Sequence, residues 1–240
     1  MSQPVIMANV INKVRVGIFG GTFDPVHSGH LELALQAKDK FNLDQVLFIP
    51  AYKSPNKQGR PLTAAVHRLA MLELALQEFP EFSVSMAEIK RKSVSYSIDT
   101  VDFLLETQAG SDLYLIMGAD TFLDLNTWKE YRRLASLCHM LVGNRPGFPL
   151  IGHEQILDRL FDAQEDPYRP QTANPYEFRR RGTDRKICFF QIAPLDISSR
   201  NIRAGAGAHS SAKKILPLNV DRYIIVNQLY KERSAPPLNE

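Results

Sequence analysis

From Val14 onward the chain alternates between two hydrophobic rhythms. Short β-branched runs such as VRVGIF are separated by longer stretches such as HLELALQAKDKF, whose apolar positions recur at helical spacing. The first rhythm predicts a buried strand and the second a helix with one apolar face. VRVGIF stops at Gly20-Gly21, which predicts a strand running into a Gly-rich turn, with a helix following from Ser28. The strand QVLFIP ends at Pro50, and the polar loop AYKSPNKQGRP leads to a helix at TAAVHRLAMLELALQEF. Then come a short strand near FSVSM, a helix over IDTVDFLLETQ, a strand DLYLIMG, a helix around TWKEYRRLASL and a strand HMLVGN. Strand and helix in regular alternation predict an α/β fold, a Rossmann-like doubly wound parallel sheet with helices on both faces. In such sheets the ligand lies beyond the carboxyl ends of the strands.

The rhythm lapses at about 150–186. An amphipathic piece, HEQILDRLF, precedes DAQEDPYRPQTANPYEFRRRGTDRK, rich in Pro, Asn and charge, which reads as an excursion or loop inside one domain. The strand KICFFQI, a capped helix at SSRNIRAG and a last helix near VDRYIIVNQLYKE complete the chain. The expected organisation is an N-terminal extension at 1–13, a single domain at 14–232 and a tail at 233–240.

Composition narrows the function classes. The 240 residues are 44% hydrophobic and 23% charged, which excludes disordered and collagen-like chains. A net charge of +3 is too small to require a polyanion as partner. The FRRRGTDRK cluster shares its loop with Asp162, Glu165, Asp166, Glu177 and Asp184, so it reads as a solvated surface, and no nucleic acid is expected. Cys138 and Cys188 are far apart, each inside an apolar run, and read as buried reduced thiols. No apolar run reaches the ~18 residues of a membrane span, and the first dozen residues do not resemble a secretory signal. A cytoplasmic location without membrane association is expected.

The strongest chemical signal is GGTFDPVHSGHLELA. Gly20 and Gly21 leave room for a phosphate to approach backbone amides. His27 and His30 straddle a loop-to-helix junction at one-turn spacing, so both imidazoles face one volume at the positive end of the helix. A lone His is most often structural. Two at this spacing after a Gly-Gly turn favour stabilisation of charge on a phosphoryl group. No third Cys, His or carboxylate stands nearby at a convincing ligand spacing, so no protein-held metal is expected.

GGTFDPVHSGH resembles the signature of the HxGH nucleotidyltransferases, relatives of class I aminoacyl-tRNA synthetases, and is most similar to that of the nicotinate-nucleotide adenylyltransferases. The resemblance covers roughly 14–149 and 189–230. It implies ATP-binding by the Gly20, Gly21, Thr22 and Phe23 backbone and phosphate contacts from His27 and His30. DISSRNIRAG resembles the family's ISSxxIR motif, which implies that Ile197, Ser198, Ser199 and Arg203 meet the phosphates from the opposite side. The family usually has Thr where this chain has Arg200, which leaves two readings there, a further phosphate contact or a solvent-facing charge. SYSIDT resembles the family's SYTxDT with Ser97 in place of Thr, and MGADTFLDLNTW resembles its GxD…W segment. These imply an acceptor site of Ser97, Gly118, Asp120 and Trp128, the indole stacking on a pyridine ring. Arg145 matches the family's RPG, and Lys57 matches its loop cation, with Asn56 in place of the usual His. Lys53 and Arg60 are other loop cations. Arg68 matches a helix Arg that supports the loop, and Asp24 either organises the turn or touches ligand.

The activity implied is adenylyl transfer from ATP to nicotinate mononucleotide, giving nicotinate adenine dinucleotide and pyrophosphate, with magnesium carried on the ATP. Nicotinamide mononucleotide or phosphopantetheine as acceptor, and a nucleotide-binding regulator without catalysis, are the competing readings. The sequence leaves homo-oligomerisation open.

Overall fold

The computed structural model describes residues 13–55, 62–144, 152–162, 164, 168–193, 197–205 and 215–230. Five of the strands predicted from the apolar runs form first in the chain: β1 (Arg15–Gly21), β2 (Gln45–Pro50), β3 (Phe82–Val84), β4 (Asp112–Gly118) and β5 (His139–Asn144). The hairpin β6 (Tyr168–Gln171) and β7 (Asn174–Arg180) and the strand β8 (Lys186–Gln191) follow. All eight join one sheet in the order β3-β2-β1-β4-β5-β8-β7-β6. Pairings from β3 to β8 are parallel, while β7 and β6 are antiparallel. The chain moves outward from β1 through β2 to β3, then returns to place β4 on the other side of β1. That reversal opens a crevice at the carboxyl ends of β1 and β4.

In β1, β2, β4, β5 and β8 the period of two divides the strand between two buried faces. Val16, Ile18, Leu47, Ile49, Leu115, Met117, Met140, Val142, Ile187 and Phe189 enter one core. Phe19, Val46, Phe48, Tyr114, Ile116, Leu141, Cys188 and Phe190 enter the other. Helices α1 (Ser28–Phe41), α2 (Ala65–Leu76) and α9 (Leu218–Val226) cover the second face. Helices α4 (Ser97–Thr107), α6 (Tyr131–Leu137) and α7 (His153–Phe161) cover the first. Two glycines allow close layering: a Cβ at Gly143 would lie 2.4 Å from Leu33 Cδ1 on α1, and one at Gly17 would lie 3.0 Å from Ile116 Cδ1.

Several expectations need correction. The strand does not stop at Gly20-Gly21: those residues pair with Ile49 and Pro50, and the turn falls later, at Asp24-Pro25. The helix expected around TWKEYRRLASL starts later, as α6 at Tyr131, after Glu130 in the left-handed region at φ 51°. A five-residue α5 (Ala119–Leu123) and a 3₁₀ turn (Leu125–Thr127), neither of them expected, come before it. The excursion is more ordered than a loop. Tyr168 and Phe178 bury their rings in the first core, so the hairpin extends the sheet. A short α3 (Ala87–Arg91) was not legible, because five residues carry too little periodicity. Among the described residues no helix is long and apolar enough to cross a membrane.

Candidate active site

The loop after β1 is fixed before any ligand enters. Asp24 is 3% exposed; its carboxylate accepts from the Tyr230 hydroxyl at 2.8 Å and from the Thr63 amide at 3.3 Å. Arg68, also buried, donates to the Thr22 carbonyl at 2.7 Å and the Thr63 carbonyl at 2.9 Å. Burial lowers the Arg68 pKa and the nearby Asp24 carboxylate opposes the shift. Burial, with Asp24 alongside, pushes the Tyr230 hydroxyl upward, so it stays protonated as the donor. Asp24 therefore organises the turn, and Arg68 supports the loop.

His27 is the N-cap residue of α1, and its backbone N–H donates to His30 Nδ1 at 3.2 Å. The two imidazoles stack with centroids 3.7 Å apart. Phe23, at a left-handed φ of 47°, sends its ring into the core with its centroid 5.1 Å from the His30 ring. The Phe23 side chain is thus a floor under His30 rather than part of the cleft wall. Gly29 lets the His27 ring lie close, since a Cβ there would meet His27 Nδ1 at 3.1 Å.

The second half arrives from far along the chain. On α8 (Ser199–Gly205), Arg203 donates to the Asp24 carbonyl at 2.6 Å and the Ser199 hydroxyl to the Pro25 carbonyl at 3.0 Å. Ser198 caps this helix, its Oγ accepting from the Asn201 amide at 3.2 Å. A cleft of about 980 Å³ opens between the loop and α8. Drug-sized ligands occupy pockets of roughly 300–1,000 Å³, so the cleft has room for a ligand at the upper end of that range. Gly20, Gly21, Thr22, His27, His30, Gly118, Asp120, Ile197, Ser198, Ser199 and Arg203 all line it. A Cβ at Gly20 would meet nothing within 4 Å, so the backbone there is open to a close-approaching phosphate.

Two predicted acceptor residues lie apart from this cleft. Ser97 opens α4, and Trp128 packs against the first core with its Nε1 buried and lacking a hydrogen-bond partner among the described residues. Lys129 joins their segments: it pairs with Asp99 at 2.9 Å and sits 5.0 Å over the Tyr96 ring. Beneath them Thr100 donates to Glu88 at 2.6 Å, and burial raises the Glu88 pKa. Lys57 and Arg145, with Asn56 and Arg60, lie outside the described residues. Sequence reasoning missed Tyr230, 206 residues from its partner Asp24. It also missed Gly143 and Asn201 on the cleft wall. Only a known topology could have brought these to the site.

Three carboxylates line the cleft, Asp24, Glu32 and Asp120. Asp24 is held as described, and Glu32 accepts from Gln36. Among the described residues no group of three or more His, Cys, Asp or Glu could hold a metal ion. This donor set fits a cation that enters on a phosphate chain, with Asp120 the carboxylate open to its water shell.

Residues 18–205 match the Cytidylyltransferase-like family. A probable nicotinate-nucleotide adenylyltransferase of Moorella thermoacetica is 40% identical over 220 residues, spanning 91% of this chain and 93% of that protein. One from Thermomicrobium roseum is 34% identical over 221 residues, spanning 92% and 94%. The fold is shared with nicotinic acid mononucleotide adenylyltransferase of Plasmodium falciparum complexed with NaAD. There the TM-score is 0.67 at 18% identity, over 90% of this chain and 97% of that one.

Proposed function

The chain belongs to the Cytidylyltransferase-like family and, within it, to the nicotinate-nucleotide adenylyltransferases, and from that premise we propose how its own residues carry out the transfer. The reaction is adenylyl transfer from ATP to nicotinate mononucleotide. An acceptor phosphate oxygen attacks the α-phosphorus, the bond to the β-phosphate bridging oxygen breaks, and pyrophosphate leaves. The attacking phosphate is already ionised near neutral pH and needs no general base. Pyrophosphate is a competent leaving group, so the protein's task is alignment and charge stabilisation.

The observation that carries this reading is the closure of two distant segments on one cleft: His27 and His30 on one side, Arg203 and Ser199 on the other. In our assignment His27 and His30 donate to the phosphates as charge grows in the transition state. Arg203, held by the Asp24 carbonyl, presents its remaining N–H groups from across the cleft. The Gly20–Thr22 backbone and Ile197 to Ser199 border the nucleotide. Magnesium arriving with the triphosphate as part of the substrate would offset the charge of the pyrophosphate leaving group.

The acceptor side rests on Gly118 and Asp120 in the cleft wall and on Ser97 and Trp128 in the adjoining segment. The flat indole suits a pyridine ring, and Lys57 and Arg145 supply cations for its phosphate. The sharing of one sheet by the described strands supports a single domain at 14–232. Two reduced cysteines and a soluble composition support a cytoplasmic enzyme of small-molecule substrates that associates with neither nucleic acid nor membrane. Purified protein is offered magnesium-ATP with nicotinate mononucleotide, nicotinamide mononucleotide or phosphopantetheine, and pyrophosphate is measured. Release fastest with the first is expected. Release only with another acceptor overturns the substrate, and none with any of the three favours a binding protein.

A further inference from the structure

The cleft's charge balance is at odds with the ligand proposed for it. Its ionisable walls carry three acids, Asp24, Glu32 and Asp120, against two arginines, Arg200 and Arg203. ATP brings about four negative charges, and even with magnesium bound it remains an anion. The backbone amides contribute dipoles and hydrogen bonds rather than net charge. Each guanidinium therefore matters, and the two are not equivalent. Arg203 is half-buried and already donates to the Asp24 carbonyl at 2.6 Å. Arg200 is exposed at the cleft wall, and among the described residues it makes no hydrogen bond or ion pair.

Position adds to this. Arg200 and Arg203 stand three residues apart on α8, a spacing that puts both side chains on one face of a helix. That face is the one turned to the cleft, because Arg203 is anchored there through Asp24. At about 1.5 Å rise per residue the two are offset by about 4.5 Å along the axis, longer than the single P–O–P step between neighbouring phosphorus atoms, so the pair can meet different phosphates of one chain. Arg203, half-buried, is the inner guanidinium of the pair and Arg200, exposed, the outer one.

We propose that Arg200 binds the β- and γ-phosphates of ATP, and the pyrophosphate they become, as a second guanidinium in tandem with Arg203. This rests on the adenylyltransferase reading above. A bidentate guanidinium–phosphate contact is strong and geometrically selective. Ordering a long exposed side chain offsets part of that gain, so an effect of about tenfold is expected.

The test uses the full chain with Arg200→Thr, Arg200→Ala and Arg200→Lys. Steady-state constants for magnesium-ATP and nicotinate mononucleotide are measured alongside inhibition by magnesium pyrophosphate. The Thr and Ala variants are expected to raise KM for ATP and the pyrophosphate inhibition constant together by about tenfold. KM for nicotinate mononucleotide should stay within twofold, and Lys should restore part of the loss. Unchanged ATP and pyrophosphate constants in an active Arg200→Ala enzyme overturn the inference, as does an equal rise for both substrates. Wild-type protein that releases no pyrophosphate with any acceptor overturns the underlying activity instead, so the two failures are distinct. Circular dichroism melting separates either from misfolding.

Discussion

At the scale of single residues, His30 illustrates how little freedom the site has. Its Nδ1 accepts the His27 amide, its ring stacks on His27, and Phe23 closes its other side. With Nδ1 an acceptor, a neutral imidazole carries its proton on Nε2, which makes Nε2 the donor of the ring. His30→Ala should lower kcat by about 10²–10³-fold, the scale of losing one transition-state donor. Far-ultraviolet circular dichroism should be unchanged. Turnover near that of the wild type would remove His30 from the mechanism. Trp128→Ala should act on the other substrate, raising KM for nicotinate mononucleotide by about tenfold with a smaller change for ATP. If only the ATP constant moved, the stacking role would be wrong. The histidine pair was legible because its spacing at a helix start has one geometric meaning. Trp128 was legible only as a match to a motif, since a tryptophan carries no signal of whether it faces core or ligand.

At the scale of elements, the apolar runs predicted β1, β2, β4, β5 and β8 well because these strands are buried on both faces and have to be apolar through most of their length. Prediction failed where a short-range signal competed with long-range pairing. Gly20-Gly21 reads as a turn, yet the ladder to Ile49 and Pro50 keeps both residues in β1. The polar hairpin of β6 and β7 reads as loop, because among the described residues only Tyr168 and Phe178 of its two strands enter the core. Layer spacing gives a sharper test. A Cβ at Gly143 would press into Leu33 Cδ1 at 2.4 Å, with Ile192 Cγ2 at 3.2 Å beside it, so the Leu33 side chain or α1, which carries it and His30, would have to shift. Gly143→Ala should destabilise the fold by about 1–3 kcal/mol, read as a lower urea midpoint, and should lower kcat as well. Unchanged stability would mean that α1 has slack the packing does not show.

At the scale of the whole molecule, the two ends of the sheet differ in their chemistry. The carboxyl end holds the cleft. The amino end holds a structural knot in which His139 is 6% exposed, accepts the Lys186 amide at 3.1 Å and lies 3.2 Å from Arg185 Nη1. Burial first, then Arg185, pushes its pKa down to about 4. A folded value below the unfolded one means that the unfolded chain takes the proton first. Stability contributed by neutral His139 should therefore be lost as pH falls from about 6.5 toward 4, by roughly 3 kcal/mol in total. Urea unfolding of wild type and His139→Gln across that range should show the steeper slope in the wild type. Equal slopes would contradict the assignment. Nothing in the sequence marks His139 as buried, because burial is a property of the assembled sheet.

The account depends most on one nucleotide bridging segments that lie over 170 residues apart. A crystal structure with a non-hydrolysable ATP analogue and magnesium measures this directly. It should show one bound nucleotide whose phosphates lie within hydrogen-bond distance of His30 on one side and Arg203 on the other. Phosphates that touch only one of these residues, or a nucleotide seated outside the cleft, would contradict it.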